Sequence, residues 1–179
     1  MKALLAFSRS VDRLNEYVGR LVRWLVLAAT LVSAGNALIR YGLHTSSNAW
    51  LELQWYCFGA LFLLAAGYTL KHNGHVRIDI IYGRLSPKSQ AAIDLLGGVL
   101  FLLPACGLIA WLSWPLFTKA LFSGEVSADA GGLVRWPIML MLPLGFGLLF
   151  LQGIAEVIKR LGVLSGHLVL PAEKSVEEV

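Results

Sequence analysis

Residues Leu95 to Thr118 read LLGGVLFLLPACGLIAWLSWPLFT, a stretch without a single charge, closed by Asp94 on one side and Lys119 on the other. An α-helix rises about 1.5 Å per residue, so these residues reach about 36 Å, more than the roughly 30 Å of a bilayer's hydrocarbon core. Three further charge-free windows flank it: Trp24 to Ile39, Leu53 to Leu70 and Trp136 to Ala155. The first is the shortest, and Leu21, Val22 and the snorkelling side chains of Arg23 and Arg40 extend it. The pattern predicts an all-α membrane protein with four transmembrane helices over about residues 21–40, 50–70, 91–117 and 135–157. These fill a single integral membrane domain, 1–179, with a loosely ordered tail over 165–179.

Composition points the same way. A content of 57% hydrophobic residues and a mean hydropathy of +0.68 lie outside the soluble-domain balance, and 179 residues leave no room for an extramembrane catalytic module. The net charge of +4 could indicate a nucleic-acid partner, so the placement of the cations decides. Lys2, Arg9, Arg13, Arg20 and Arg23 precede the first span, Lys71, Arg77, Arg84 and Lys88 separate the second from the third, and Lys159, Arg160 and Lys174 follow the fourth. Only Arg40, Lys119 and Arg135 occupy the other two connections. This bias places both termini and the middle loop in the cytoplasm, and the basic charge reports orientation rather than nucleic-acid binding. A secretory signal cut near Ala34 to Ala37 is not expected, because its basic leader is too long and its removal would leave the remaining charges on the wrong sides.

Between the windows the chain is punctuated as four spans require. Leu4, Leu5, Phe7, Val11, Leu14 and Val18 alternate with Arg13, Glu16 and Arg20 at helical spacing, which predicts an N-terminal amphipathic interfacial helix running into the first span. Gly42 to Asn48 is an outer turn, Asn73-Gly74 a breaker, Ser86-Pro87 a cap followed by an N1 proline, and Ser123 to Gly132 a Gly-rich outer loop. Pro104 and Pro143 predict kinks. Ala29, Ser33 and Ala37 form a small-residue stripe, and Gly97, Gly98, Gly107, Gly145 and Gly147 offer thin places for packing within a four-helix bundle or against a partner.

Chemistry-bearing groups are scarce at membrane depth. Asn36 and Gln54 sit near the outer ends of the first two spans, and Arg40 and Glu52 face each other across a tight turn, where an ion pair is expected. Asp94 and Glu156 read as interfacial anchors, with Lys159 and Arg160 at helical distance from Glu156 for local pairing. The six tryptophans fall toward span ends, as belt aromatics do. His44, His72, His75 and His167 lie outside the charge-free windows, so no bis-histidine haem site can be built, and His72, His75 and Asp79 are too loosely spaced for a metal centre. Cys57 and Cys106 read as small apolar residues inside spans. No nucleophile has a base beside it and no phosphate loop is present, so enzymatic activity is not expected and no cofactor is assigned.

The most distinctive strings are Asn48-Ala49-Trp50-Leu51-Glu52-Leu53-Gln54-Trp55 at the start of the second span and Gly74-His75-Val76-Arg77-Ile78-Asp79 after it, with Leu85-Ser86-Pro87 following. If helical, the second string sets Ile78, Ile81, Tyr82 and Leu85 on one face, a short interfacial segment between helices 2 and 3 that fixes their hairpin. In these strings and in its four spans the chain, from about Leu14 to Leu161, resembles the small membrane (Q) subunit of tripartite ATP-independent periplasmic (TRAP) transporters. The resemblance implies residence in a bacterial inner membrane as a scaffold for a large multi-span subunit. That subunit performs sodium-coupled uptake of an organic acid delivered by a periplasmic binding protein. Sodium is then expected on the large subunit, with this chain contacting that partner, the binding protein and lipid. It further implies an assembly role for Trp50, Glu52 and Trp55 and a hairpin-fixing role for Gly74, His75, Arg77 and Asp79, to which the residue reading adds Arg40. Two other readings stand beside it: a homodimeric four-span exporter, whose carboxylate deep in the first span is missing here, and an accessory subunit of another membrane complex such as a respiratory one.

Overall fold

The computed structural model of the protein describes residues 1–45, 47–74 and 82–166. Within them the helices are α1 (Lys2–Val22), α2 (Trp24–Leu43), α3 (Asn48–Lys71), α4 (Pro87–Gly97), α5 (Leu103–Ser123) and α6 (Trp136–Leu164). Four helical stretches are long and apolar enough to cross a membrane, ending in α2, α3, the α4–α5 unit and α6. The α1–α2 stretch is nearly continuous over 42 residues. Laid straight it would measure about 63 Å, twice the hydrocarbon core, so only its apolar half, α2, is the span.

Helix ends follow local chemistry. Ser86 accepts the Ser89 N–H at 3.2 Å ahead of Pro87, the expected cap and N1 proline. α3 begins with Ser47 accepting from the Ala49 N–H and ends in a Schellman motif. There the Gly74 N–H reaches the Thr69 carbonyl at 2.9 Å and the Asn73 N–H the Leu70 carbonyl at 3.1 Å. Asn73, rather than the glycine, takes the left-handed conformation, at φ 51°. Ahead of Pro104 the helix changes its hydrogen-bond register. The preceding residues Gly98–Leu102 widen into a π-turn in which the Leu103 N–H donates to the Gly98 carbonyl, five residues back. The added residue moves the chain away from the proline ring, which would otherwise strike the preceding turn. Pro143 lies buried within α6, and Pro115 is a further proline inside α5.

The helices do not close into a bundle. α3 packs against α2 on one side and α6 on the other, α6 carries α4 and α5 on its far side, and no substantial contact joins α2 to α5 or α6. The result is an open row, α2–α3–α6–α5, whose outer surfaces expose Phe62, Phe101, Trp111 and Phe122. Lipid chains are as apolar as these side chains, so no hydrophobic force pulls the row shut; helices pack where their surfaces are thin. The α3–α6 seam is thin at Gly145, where a Cβ would stand 2.7 Å from the Leu63 carbonyl oxygen. Of the small-residue stripe on α2, Ala29 is buried while Ser33 and Ala37 stay exposed; the buried face runs through Ala29 and Asn36.

α1 meets α3 and α6 with its small and polar side, and leaves the large apolar side expected of an interfacial helix facing outward. Ser8, Val11, Asn15, Gly19 and Val22 are buried, whereas Leu4, Phe7 and Leu14 of the expected apolar face point outward with Tyr17 and Leu21. A helix against a membrane protein turns its small and polar residues to protein and its large apolar ones to lipid. Ser8 and Asn15, seven positions apart, meet α6 at Ala155 and Gln152, only three apart, so α1 crosses α6 rather than running along it. It also crosses α3, where Asn15 rests against Gly67 and the Tyr68 ring covers Gly19.

Candidate functional site

Polar side chains gather at the two ends of the row. At the end carrying the Gly-rich loop, Asn48, Glu52 and Tyr56 recur every fourth residue and so line one face of α3. Asn48 Nδ2 donates to the Ala130 carbonyl at 3.1 Å, Glu52 Oε2 accepts the Leu133 N–H at 2.6 Å, and the Tyr56 hydroxyl donates to the Val134 carbonyl at 3.0 Å. The loop they hold is itself folded as a small hairpin. Val126 and Val134 form an antiparallel bridge. The Ser127 N–H donates to Leu133 and the Arg135 N–H to Glu125, each at 2.9 Å. The Arg135 and Glu125 side chains close its base at 2.6 Å.

The expected Arg40–Glu52 ion pair does not form. Glu52 turns along α3 toward the hairpin, where a fixed backbone N–H receives it, and Arg40 stays exposed in the last turn of α2 with no ion pair among the described residues. Trp50 and Trp55 project outward, Trp55 with 76% of its surface free. Gly74 closes the Schellman turn that ends α3. His75, Arg77 and Asp79 lie outside the described residues, as does the rest of the expected interfacial segment up to Ile81.

The basic end is denser. Gln152, inside the fourth charge-free window and fully buried, accepts from Asn15 Nδ2 at 2.9 Å. Its own Nε2 donates to Asp12 at 2.7 Å and to Glu156 at 3.0 Å. Lys159 closes the network, 3.2 Å from Asp12 and 2.5 Å from Glu156, the latter being the expected local pair. Arg160 instead reaches across to Asp94 on α4 at 3.0 Å, and the Tyr82 hydroxyl donates to the same carboxylate at 2.8 Å. A third cluster ties α1 to the end of α3: Glu16 meets Lys71 at 2.6 Å, His72 at 2.9 Å and Arg20 at 3.1 Å.

Hydrogen bonds from Lys71 and then His72, with a smaller one from Arg20, lower the Glu16 carboxyl from its ordinary 4.5 to about 2. A carboxyl lowered in the folded state contributes stability that is present above its unfolded value and declines as pH falls through the folded one. Docking of α1 should therefore hold above about pH 4.5 and loosen progressively toward pH 2. Amide hydrogen exchange along α1 across this range reads it, and Glu16→Gln should flatten the component of the profile due to this carboxyl.

Each of these clusters joins elements distant in sequence through charges that already have partners, the arrangement of a fastener rather than of a reaction centre. Among the described residues no group of three His, Cys, Asp or Glu side chains is placed to hold a metal ion. Tyr56, Asp12, Asn15 and Gln152 escaped the reading of the sequence, and Asn48 was read only as part of a string and not as a holder of the loop. The four-residue repeat of Asn48, Glu52 and Tyr56, and the 8, 12, 15, 19 spacing of Ser8, Asp12, Asn15 and Gly19, are the signals that mark them.

The sequence model for the DctQ component of tripartite ATP-independent periplasmic transporters matches residues 29–162. The chain is also similar to the C4-dicarboxylate TRAP transporter small permease protein DctQ of Pseudomonas aeruginosa PAO1, with 29% identity over 136 residues. That match covers 74% of this chain and 62% of the relative's length. No solved structure matches the chain.

Proposed function

The chain belongs to the DctQ-component family of tripartite ATP-independent periplasmic transporters, and from that premise we propose that it is the small permease subunit that scaffolds a large multi-span membrane subunit. In this reading the large subunit carries out sodium-coupled uptake of an organic acid handed over by a periplasmic binding protein, and sodium binds there rather than here. The chain sits in a bacterial inner membrane with its termini and the basic end in the cytoplasm, in keeping with the distribution of Lys and Arg.

The observation that carries the proposal is the open row. Four spans standing side by side enclose no path of their own, while both faces of the row are left for other protein or lipid. The charged groups at either end fasten this chain's own elements together, as a fixed support requires. Trp50 and Trp55 in the first turns of α3 and Arg40 in the last turn of α2 stand exposed and supply the outer contact, and the string from Gly74 through His75, Arg77 and Asp79 supplies the hairpin-fixing one.

Copurification of this chain with the large subunit, followed by uptake in proteoliposomes, tests the reading. Glu52→Ala removes the acceptor of the Leu133 N–H, a charge-assisted bond at 2.6 Å; it should lower copurification and uptake together by about tenfold. Asp79→Ala should act in the same direction. Full assembly and full uptake in both variants would remove these residues from the interface, and transport by this chain alone in liposomes would overturn the scaffold.

A further inference from the structure

At the basic end one cleft of about 290 Å³ stays open between α3, α4 and α6. Asn73, Asp94, Glu156 and Arg160 form its polar side. The pairing of Arg160 with Asp94 marks the level of the basic end, and the approach of Gly153 to Leu102 lies about two turns farther into the bilayer. The lining therefore passes from ionic to apolar along the membrane normal. Gly97 helps keep the space open, because a Cβ there meets nothing within 4 Å.

We propose that this cleft holds a phospholipid whose headgroup bears a primary ammonium. An amphiphile fits the gradient of the lining, its chain over Gly97, Leu102 and Val157 and its headgroup at the level of the ions. The charge of the lining selects the headgroup. Asp94 pairs with Arg160, while Lys159 is shared between Glu156 and Asp12, so the linked cluster sets three carboxylates against two cations; the side chains of Asp94, Glu156 and Arg160 are only 14–20% exposed, so water screens them weakly. The bonds of Asp94 converge on Oδ2 and those of Glu156 on Oε1, which leaves Asp94 Oδ1 and Glu156 Oε2 without a hydrogen-bond partner among the described residues. A primary ammonium carries three N–H donors for such oxygens, and the guanidinium of Arg160, with donors beyond the Nη2 engaged by Asp94, faces the phosphate. A glycerol headgroup brings no cation to the two carboxylates. A choline headgroup brings a cation without N–H.

Native mass spectrometry of the full chain in detergent, titrated with dioleoyl phosphatidylethanolamine, phosphatidylglycerol or phosphatidylcholine, reads the selection directly. The ethanolamine lipid should be retained in preference to the other two. Glu156→Gln should reduce its retention by about tenfold, the loss of one charge-assisted bond, and leave the glycerol lipid unchanged. Gly97→Leu, which fills the cleft and touches none of the ion pairs, should reduce it likewise, with circular dichroism confirming that helix content is kept. Equal retention of the three lipids, preference for the glycerol lipid, or unchanged ethanolamine retention in Gly97→Leu overturns the proposal. Lipid retention is measured without the large subunit and without transport, so its failure is distinguishable from failure of the permease reading.

Discussion

Gly145→Val should lower the thermal midpoint of the chain more than any other single substitution on the row. At this position α6 passes α3 so closely that a Cβ would lie 2.7 Å from the Leu63 carbonyl oxygen and 2.8 Å from the Leu63 carbonyl carbon and Cβ. Main-chain atoms cannot rotate aside as a long side chain can, so the helices must move apart. Overpacking of this kind costs about 1–3 kcal/mol where the site yields and more where it does not. Here the loss spreads, because α1 rests on both α3 and α6 and cannot keep both contacts once they separate. Intrinsic fluorescence from the six tryptophans during heating in detergent follows the transition. Gly147→Val, in open space two residues away, is the matched control and should leave the midpoint nearly unchanged. Equal midpoints for the two variants would mean that the α3–α6 approach is not tight.

Gln152→Leu should come second. The side chain is fully buried and engages Asn15, Asp12 and Glu156 at once, so an apolar replacement leaves the Asn15 amide only its long 3.4 Å bond to the Val11 carbonyl and leaves Asp12 with Lys159 alone. Each stranded buried group costs about 1–3 kcal/mol. Removing the opposite partner as well relieves part of that penalty, so Asn15→Ala combined with Gln152→Leu should cost less than the sum of the two single changes. Hydrogen exchange along α1 gives a second readout, since the single variant should release α1 from α6 while α3 and α5 remain protected. Strictly additive single and double variants would show that the two amides act independently.

The two predictions mark where the sequence could be read and where it could not. The spans were legible because a charge inside hydrocarbon is so costly that its absence over a window is nearly a ruler. The Ser86-Pro87 cap and the Asn73-Gly74 stop were legible because they follow from local backbone chemistry. Gln152 was missed because a window defined by charge treats a neutral amide as part of the apolar run, although its two donors need acceptors just as firmly. The apolar face of α1 was legible as an interfacial one, and Leu4, Phe7 and Leu14 do face outward; the opposite set, Ser8, Asn15 and Gly19, was not singled out, because small and neutral polar side chains carry no hydrophobic signal although they are what a membrane helix turns toward protein. The partner of Glu52 was misassigned to Arg40 through proximity in sequence, when its four-residue spacing from Asn48 and Tyr56 pointed to one common surface, the hairpin. The row could not have been foreseen from periodicity. A span that is apolar all round carries no vector telling which neighbour it meets.

Laying α1 across α3 and α6 has a mechanical consequence. Two rods gripped along one seam resist being pulled apart, yet they slip lengthwise past each other with little resistance. A third rod pinned to both near one end, here through Asn15 to Gln152 on one side and Glu16 to Lys71 on the other, converts that slip into bending of a braced frame. A load applied along the membrane normal to α5 or α6 is then passed to α3 instead of being lost in shear, and the spans tilt or hold station together as one stiff plate.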